Sequence, residues 1–152
     1  MRFLGFFLLV LVFSCKAQKE PKTETDPKID NLVLLAHDNY SNVSEYQTQV
    51  IRDQKSLQKF YSQVNKTRKP GLPVPMIDFN KEMLILVCLG EQRSKKKVAV
   101  SKVTESDEEM VMEVKVLDEK AKGEVTIQPM YYPFYLYKAP LVDKTVSFQK
   151  KL

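Results

Sequence analysis

The run Met83–Leu89 is the most apolar stretch that follows the first fourteen residues of the chain. Because it has no polar face, a strand formed by these residues has to be covered on both sides, and the run predicts a central strand. Cys88 lies in this run. We expect its thiol to be buried and to behave as a small apolar group, because a reactive thiolate needs a polar, electropositive setting.

Several segments on either side of this run have the pattern of strands. Residues 98–117 alternate apolar and polar side chains around a turn at 105–108, which predicts a β-hairpin. Pro133 confines the aromatic segment 131–137 to an edge strand or an irregular strand, because proline cannot donate to a sheet ladder. Further strands are expected at 31–36, 45–52, 125–127 and 142–148, with a turn-rich connection at 37–42 after the first of them.

One amphipathic helix is predicted near residues 53–65. Asp53 has the side chain of an N-cap, and Asn65 is suited to end the helix. Between them, apolar residues recur at helical spacing and form one stripe: Leu57, Phe60, Tyr61 and Val64. With the strands, this pattern predicts an α+β fold that is mainly antiparallel β, either a sandwich or an open barrel-like sheet. We expect residues 31–152 to form a single globular domain.

The first fifteen residues predict a secreted, lipid-anchored protein. Arg2 precedes an apolar run at 3–13, and the small residue Ser14 follows, as in a secretory signal peptide at 1–14. The run is about half of the ~20 residues that a membrane-spanning helix needs. Val12-Phe13-Ser14-Cys15 resembles the lipobox of bacterial lipoproteins, which implies lipidation of Cys15 and an anchor in the membrane. A single-span anchor and an ordinary cleaved signal are the alternatives.

Residues 15–30 are expected to form a flexible tether. The stretch 16–27 has no large apolar residue, many charges and two prolines, so it cannot bury enough surface to offset the entropy lost on ordering. Lys16 differs from the acidic signal that retains many lipoproteins at the inner membrane. We therefore expect a bacterial cell-envelope location at the outer membrane.

Composition and residue types argue against catalysis. The net charge of +5 is mild and dispersed, so we expect no nucleic-acid partner, and lipidation of Cys15 would leave Cys88 without a disulfide partner. The single histidine, His37, stands beside Asp38 in a polar segment, where a surface side chain is the first interpretation and a catalytic base the alternative. One histidine and one free cysteine make a zinc site improbable, because zinc sites draw several ligands from these residue types. The acidic residues at 105–109 lack the pattern of a calcium-binding loop. The four glycines do not form a phosphate-binding loop. The sequence predicts no metal, no cofactor and no enzyme activity.

Three stretches together carry a family resemblance. The first is the helix stripe after 51–53, the second is the segment 76–91, and the third is the segment 125–134, which closes on 138–140. Within the second segment, Asp78-Phe79 precedes the buried strand and Gly90-Glu91 ends it. In this order they resemble the C-terminal domain of PrcB-type lipoproteins, which stabilise a surface protease complex. Where that family commonly has Thr-Gly-Gly-Tyr, this chain reads Gln92 to Lys97, so a partner contact at this turn would differ. The residues also have structural interpretations, a turn cap for Asp78, packing under the sheet for Phe79 and a positive φ for Gly90.

Two surface features are candidates for partner binding. A basic run, expected at a turn, is either a solvated loop or a contact for anionic head groups or glycans. Half of the aromatic side chains at 131–137 are expected to face the core, and the others are candidates for docking a protein or a sugar. The candidate partner-binding residues are Glu91, Arg93, Lys95, Lys96, Lys97, Tyr132 and Tyr135.

We therefore expect a membrane-anchored envelope lipoprotein whose domain binds or stabilises a partner protein, with a secreted protease complex as the partner that the resemblance implies. The alternative is a glycan- or lipid-binding envelope module that uses the aromatic and basic surface residues.

Overall fold

The computed structural model describes residues 32–119 and 129–151. The signal segment at 1–14, Cys15, the tether at 15–30 and the strand expected at 125–127 lie outside these residues. The elements in chain order are β1 (Val33–Asp38), β2 (Tyr46–Ile51), α1 (Gln54–Val64), a short 3-10 turn (Asn65–Thr67), β3 (Glu82–Leu89), β4 (Lys96–Glu105), β5 (Glu109–Asp118), β6 (Phe134–Pro140) and β7 (Thr145–Lys151). Within these two ranges, no helix has the length and apolar character needed to cross a membrane.

The strands form two sheets. The first has the order β1-β6-β3-β2 and is antiparallel throughout. The second has the order β4-β5-β7, in which β4 and β5 form an antiparallel hairpin and β7 runs parallel to β5. The predicted α+β class, mainly antiparallel β with one helix, is confirmed, and the two packed sheets give it a sandwich-like form.

The four-stranded sheet is the middle of three layers because its two faces are both apolar. In β3, Leu84, Leu86 and Cys88 face α1, while Ile85 and Val87 face the second sheet. All five side chains are fully buried. Burying a side chain of leucine size stabilises the fold by about 1.5–3 kcal/mol, so this one strand contributes to two cores at once. The prediction of a central strand covered on each side is confirmed.

The helix begins at the predicted residue. Asp53 is extended (φ −152°, ψ 155°), and its carboxylate accepts hydrogen bonds from the backbone N–H and the hydroxyl of Ser56 at 2.8 and 2.7 Å. Asn65 caps the C-terminus, as expected. The predicted stripe packs on the four-stranded sheet, and its Phe60 ring lies edge-on to Phe134 with 5.1 Å between ring centroids.

The segment between α1 and β3 completes the helix-side core. Phe79 is half-buried and packs against this core, as predicted from its position before β3. The Asp78 carboxylate accepts a hydrogen bond from the backbone N–H of Asn80 at 3.2 Å. The Asp78 backbone carbonyl accepts from the backbone N–H groups of Lys81 and Glu82, at 2.9 Å each. Asp78 therefore closes the turn that leads into the buried strand.

Two local expectations are wrong. Residues 37–38 belong to β1 instead of a turn, because they pair with Tyr135 and Phe134 of β6. Of the two alternatives for 131–137, an edge strand is wrong, because β6 lies between β1 and β3. The segment is irregular, since Tyr131 and Tyr132 form only isolated bridges before β6 begins. Pro133 stands immediately before β6, where its missing N–H removes no ladder bond, and its carbonyl accepts from Leu89 at 3.0 Å.

Candidate functional site

Three connecting segments meet at one end of the four-stranded sheet, which we call the loop end: residues 39–45, 90–95 and 129–133. The antiparallel order brings them together. Asp38 at the end of β1 and Cys88 near the end of β3 both pair with Phe134 at the start of β6. Tyr46 at the start of β2 pairs with Leu89. Most of the candidate residues from the sequence lie in or beside these segments.

Backbone hydrogen bonds join the three segments of the loop end. The Tyr132 N–H donates to the Asn39 carbonyl and the Ser41 N–H donates to the Tyr132 carbonyl, both at 2.8 Å. Tyr131 and Gln92 exchange two further bonds of 2.8 Å. Ser41 is fully buried, and its hydroxyl donates to the Tyr132 carbonyl at 2.7 Å. The backbone of the loop end is therefore fixed by pairing of the kind found within a sheet.

The first loop segment is also attached to the helix layer. Asn42 has a left-handed backbone (φ 58°), and its side-chain amide donates to the Gln63 and Val64 carbonyls at the C-terminus of α1, at 3.0 and 3.2 Å. Asp38 accepts from the Tyr40 N–H at 2.9 Å and from the Arg68 guanidinium at 2.6 Å. These contacts set the direction in which the Tyr40 side chain leaves the surface.

Gly90 allows the second segment to approach the first. Its φ is +72°, as the sequence predicted, and a Cβ atom at this position would lie 2.8 Å from the Ser44 oxygen and the Glu45 carbonyl carbon. Only glycine fits there without displacing backbone atoms. Beyond it, the Glu91 N–H donates to the Ser44 carbonyl at 3.1 Å.

Aromatic side chains are grouped on this fixed backbone. The rings of Tyr40 and Tyr131 lie 6.2 Å apart between centroids and are tilted by 36°. Tyr132 is half-buried, and its hydroxyl lies 3.5 Å from a carboxylate oxygen of the exposed Glu91. We call Tyr40, Tyr131 and Tyr132 the aromatic patch. Tyr40 is 47% exposed, and Met130, next to Tyr131 in the chain, is 51% exposed, so the patch has apolar surface that a ligand can cover.

The basic run divides into two pairs. Arg93 and Lys95 are exposed in the turn, and no carboxylate within 32–119 and 129–151 forms an ion pair with either of them. Lys96 and Lys97 belong to β4, so the expectation that they stand at a turn is wrong. Lys96 pairs with Asp118, and its hydrogen bond holds the pKa of that carboxyl below its ordinary value, while Lys97 lies 3.4 Å from the Glu119 carboxylate.

Tyr135 is not available to a partner. It is 5% exposed, and its hydroxyl donates to the Lys96 carbonyl. Burial raises the pKa of Tyr135, and burial likewise raises that of Tyr137, whose hydroxyl donates to the Val98 carbonyl at 2.8 Å. The assignment of Tyr135 as a contact residue is wrong, because both faces of β6 are covered and the strand has no exposed half.

Tyr40 is the residue of the site that the sequence did not identify. It lies in a segment expected to be a turn, remote in the chain from the 131–137 aromatics, and it joins them only through the pairing of β1 with β6. The one available signal was a large aromatic residue within a run of polar turn residues.

Two side chains of potentially reactive types, Cys88 and His37, lie away from the aromatic patch. Cys88 is fully buried, and burial raises the pKa of its thiol to about 11, which disfavours the thiolate. His37 is exposed on β1, with its ring 4.8 Å from that of Tyr135. In the part of the chain that the structure describes, no three histidine, cysteine, aspartate or glutamate side chains converge as metal ligands.

No family model, no curated protein and no solved structure matches this chain. The resemblance to PrcB-type lipoproteins stays a prediction from the motifs that carry it.

Proposed function

We propose that this chain is a lipid-anchored lipoprotein of the bacterial cell envelope whose domain binds or stabilises a partner protein and does not itself catalyse a reaction. The observation that carries the proposal is the loop end. It presents the exposed Tyr40 and the half-buried Tyr131 and Tyr132 beside two cations that no described carboxylate neutralises, on a backbone held by hydrogen bonds from three segments.

The residue types of the loop end suit a protein partner. Tyrosine and arginine are enriched among the residues that contribute most to protein–protein affinity, because each has a large rigid group with a polar end. The pairing of Tyr131 with Gln92, and of Tyr132 with Asn39 and Ser41, reduces the entropy that the backbone would lose on binding.

The position of the loop end also supports a partner role for an anchored domain. β1 runs from Val33, where the proposed tether joins the domain, to Asp38, where the loop end starts. Six residues of strand separate these points by about 20 Å, so the tether enters at the opposite end of the sheet. The eighteen residues from Cys15 to Leu32 would reach about 60 Å at full extension.

Cys15 is the proposed site of the anchor. Its support comes from the sequence: the short apolar run, Ser14 before the cysteine, and the charged, proline-containing segment behind it. Lys16 favours the outer membrane as the destination. For the partner, the motif resemblance makes a secreted or surface protease complex the first candidate.

A glycan-binding or lipid-binding module is the second candidate. The tilted pair of Tyr40 and Tyr131 rings favours a sugar, because exposed aromatic faces are suited to stack on pyranose rings. The basic run supports a head-group contact less than its sequence suggested, since Lys96 and Lys97 are paired with acids and only Arg93 and Lys95 remain.

Affinity capture from solubilised envelopes tests the proposal. The full-length protein is compared with a loop-end variant carrying Tyr40→Ala, Tyr131→Ala and Arg93→Glu. The matched control changes two exposed side chains and one half-buried lysine of the second sheet, with Val103→Ala, Leu117→Ala and Lys115→Glu. We expect the same partner with the wild type and the control, and its loss with the loop-end variant.

Equal recovery from all three proteins would contradict the assignment of the loop end. Recovery of no protein at native expression, combined with binding of the wild type but not the loop-end variant to a glycan array or to anionic vesicles, would favour the second candidate.

A further inference from the structure

The strand β2 is an outer strand without the usual protection against pairing. In the sheets formed by residues 32–119 and 129–151, the outer strands are β1, β2, β4 and β7. β1 and β4 are interrupted by register shifts, and β7 ends in two lysines. β2 reads YQTQVI, with no charge and no proline, and pairs with β3 without a shift in register. Bulges, prolines and lysines are what natural sheets use to prevent pairing at an edge, and β2 has none of them.

The surroundings of β2 leave this edge accessible. Gln47 and Gln49, on its helix-facing side, are exposed. On the other side, an open groove of about 440 Å³ separates β2 from β7, with Thr48 and Val50 on one wall and Phe148 on the other. The middle of the β2 edge, from Gln47 to Val50, is therefore accessible. At the two ends of the strand, Lys150 lies over the Tyr46 ring at 4.3 Å and Arg52 bonds to the 142–144 backbone.

We propose that β2 pairs with β2 of a second copy of this chain, antiparallel about a two-fold axis at Thr48, so that two four-stranded sheets join into one of eight strands. A two-fold axis perpendicular to a sheet keeps the helix layers of both copies on the same side, and it requires one residue to lie opposite itself. With Thr48 on the axis, Tyr46 of each copy lies opposite Val50 of the other, and Gln47 lies opposite Gln49. Aromatic–β-branched and threonine–threonine pairs are favourable across strands.

The charges that flank β2 favour a second copy as the occupant. Glu45 precedes the strand and Arg52 follows it, and both are exposed. Antiparallel self-pairing places Glu45 opposite Ile51 and Arg52 opposite Ser44 of the other copy, so an acid and a base of different copies lie at each end of the joined strands, on opposite faces of the sheet. Parallel pairing would instead bring like charges together. One nitrogen of the Arg52 guanidinium donates to the Val142 and Lys144 carbonyls at 3.2 and 2.8 Å, and none of the ion pairs among described residues includes Arg52. The positive charge of Arg52 therefore attracts Glu45 of the second copy at long range, without forming an ion pair with it.

Disulfide trapping with the full-length protein in intact cells tests this arrangement. Directly opposite residues of antiparallel strands have Cα atoms about 4.5–5.5 Å apart, within the range that a disulfide spans. We expect Thr48→Cys to give a cross-linked species of twice the monomer mass under mild oxidation. The control, Thr104→Cys on the exposed outer part of β4, and the wild type with its own two cysteines should give no cross-linked species, because neither has a cysteine on the proposed axis.

A charge variant gives the second measurement. Thr48→Lys places two like charges on the axis, and we expect it to convert a dimer of the detergent-solubilised protein into a monomer in sedimentation equilibrium, while Thr104→Lys leaves the dimer intact. Unchanged thermal unfolding of the Thr48→Lys variant would show that the strand itself still forms. A monomeric wild type, equal cross-linking at positions 48 and 104, or a Thr48→Cys adduct with a different protein would overturn the proposal.

Discussion

The Tyr137 hydroxyl donates a 2.8 Å hydrogen bond to the carbonyl oxygen of Val98, from the middle of one sheet to the edge strand of the other. Two residues earlier in β6, Tyr135 makes the same kind of bond to the Lys96 carbonyl. Two tyrosines on one face of β6 therefore bond to alternate carbonyls of β4. This regular spacing fixes the position of the second sheet on the first, in addition to the apolar contacts between them.

Replacing Tyr137 by phenylalanine should lower the free energy of unfolding by about 1 kcal/mol, because the ring remains in the core while one buried hydrogen bond is lost. In urea unfolding we expect a lower midpoint with an unchanged slope. Tyr40→Phe serves as the control, since Tyr40 is about half exposed at the loop end. Equal midpoints for wild type and Tyr137→Phe would show that the bond contributes nothing to stability.

Replacing Gly90 by alanine should destabilise both the domain and the loop end. A positive φ costs a residue with a Cβ about 1–2 kcal/mol, and the added atom would meet the backbone of Ser44 and Glu45 at 2.8 Å. Gly71→Ala is the comparison, because the nearest atoms there belong to the Asn65 side chain and no positive φ is required. We expect a larger fall in the unfolding midpoint for Gly90→Ala, together with loss of any partner captured through the loop end. A smaller effect at position 90 than at position 71 would contradict the close approach of these segments.

Glu105 predicts a pH dependence of stability in the acid range. Hydrogen bonds from Lys102 at 2.5 Å and Lys144 at 2.8 Å lower the pKa of its carboxyl to about 2 from an ordinary value near 4.5. Because the pKa is lower in the folded state, the contribution of Glu105 is fully present above about pH 4.5 and is lost as the pH falls towards 2. The melting temperatures of wild type and Glu105→Gln should therefore differ at pH 7 and converge near pH 2. A difference that stays constant over this range would show that the ion pairs are not responsible.

The sequence was sufficient to predict the elements whose signals are local. The seven apolar residues of Met83–Leu89 required two covered faces, and Asp53 with the stripe behind it located the helix. The sequence did not predict which strands are neighbours in the sheet. Pro133 suggested an edge, yet β6 is interior, because a proline just before a strand leaves the ladder intact.

The residues of the candidate site divide in the same way, into those with a local sequence signal and those that depend on strand pairing. Glu91 and Arg93 were identified at an expected turn and Tyr132 in the aromatic segment 131–137, and all three lie at the loop end. Lys96 and Tyr135 were placed on the surface because their partners, Asp118 and the β4 backbone, become adjacent only through the hairpin register and the packing of the sheets. Tyr40 was missed because only the β1–β6 pairing brings it to Tyr131.

The two cysteines give a prediction that separates lipidation from plain secretion. In the native protein, the thiol of Cys88 should react slowly at pH 8, because it is fully buried and its pKa is raised to about 11. A protein lipidated on Cys15 should therefore show no rapidly reacting thiol when folded and one thiol in denaturant. An unmodified Cys15 would add one rapidly reacting thiol in the folded protein and one further thiol in denaturant. If a longer signal peptide that includes Cys15 were cleaved off, the denatured protein would still show one thiol. Palmitate labelling resolves this last case: we expect label on the wild type and none on Cys15→Ser, and equal labelling of the two would refute the anchor.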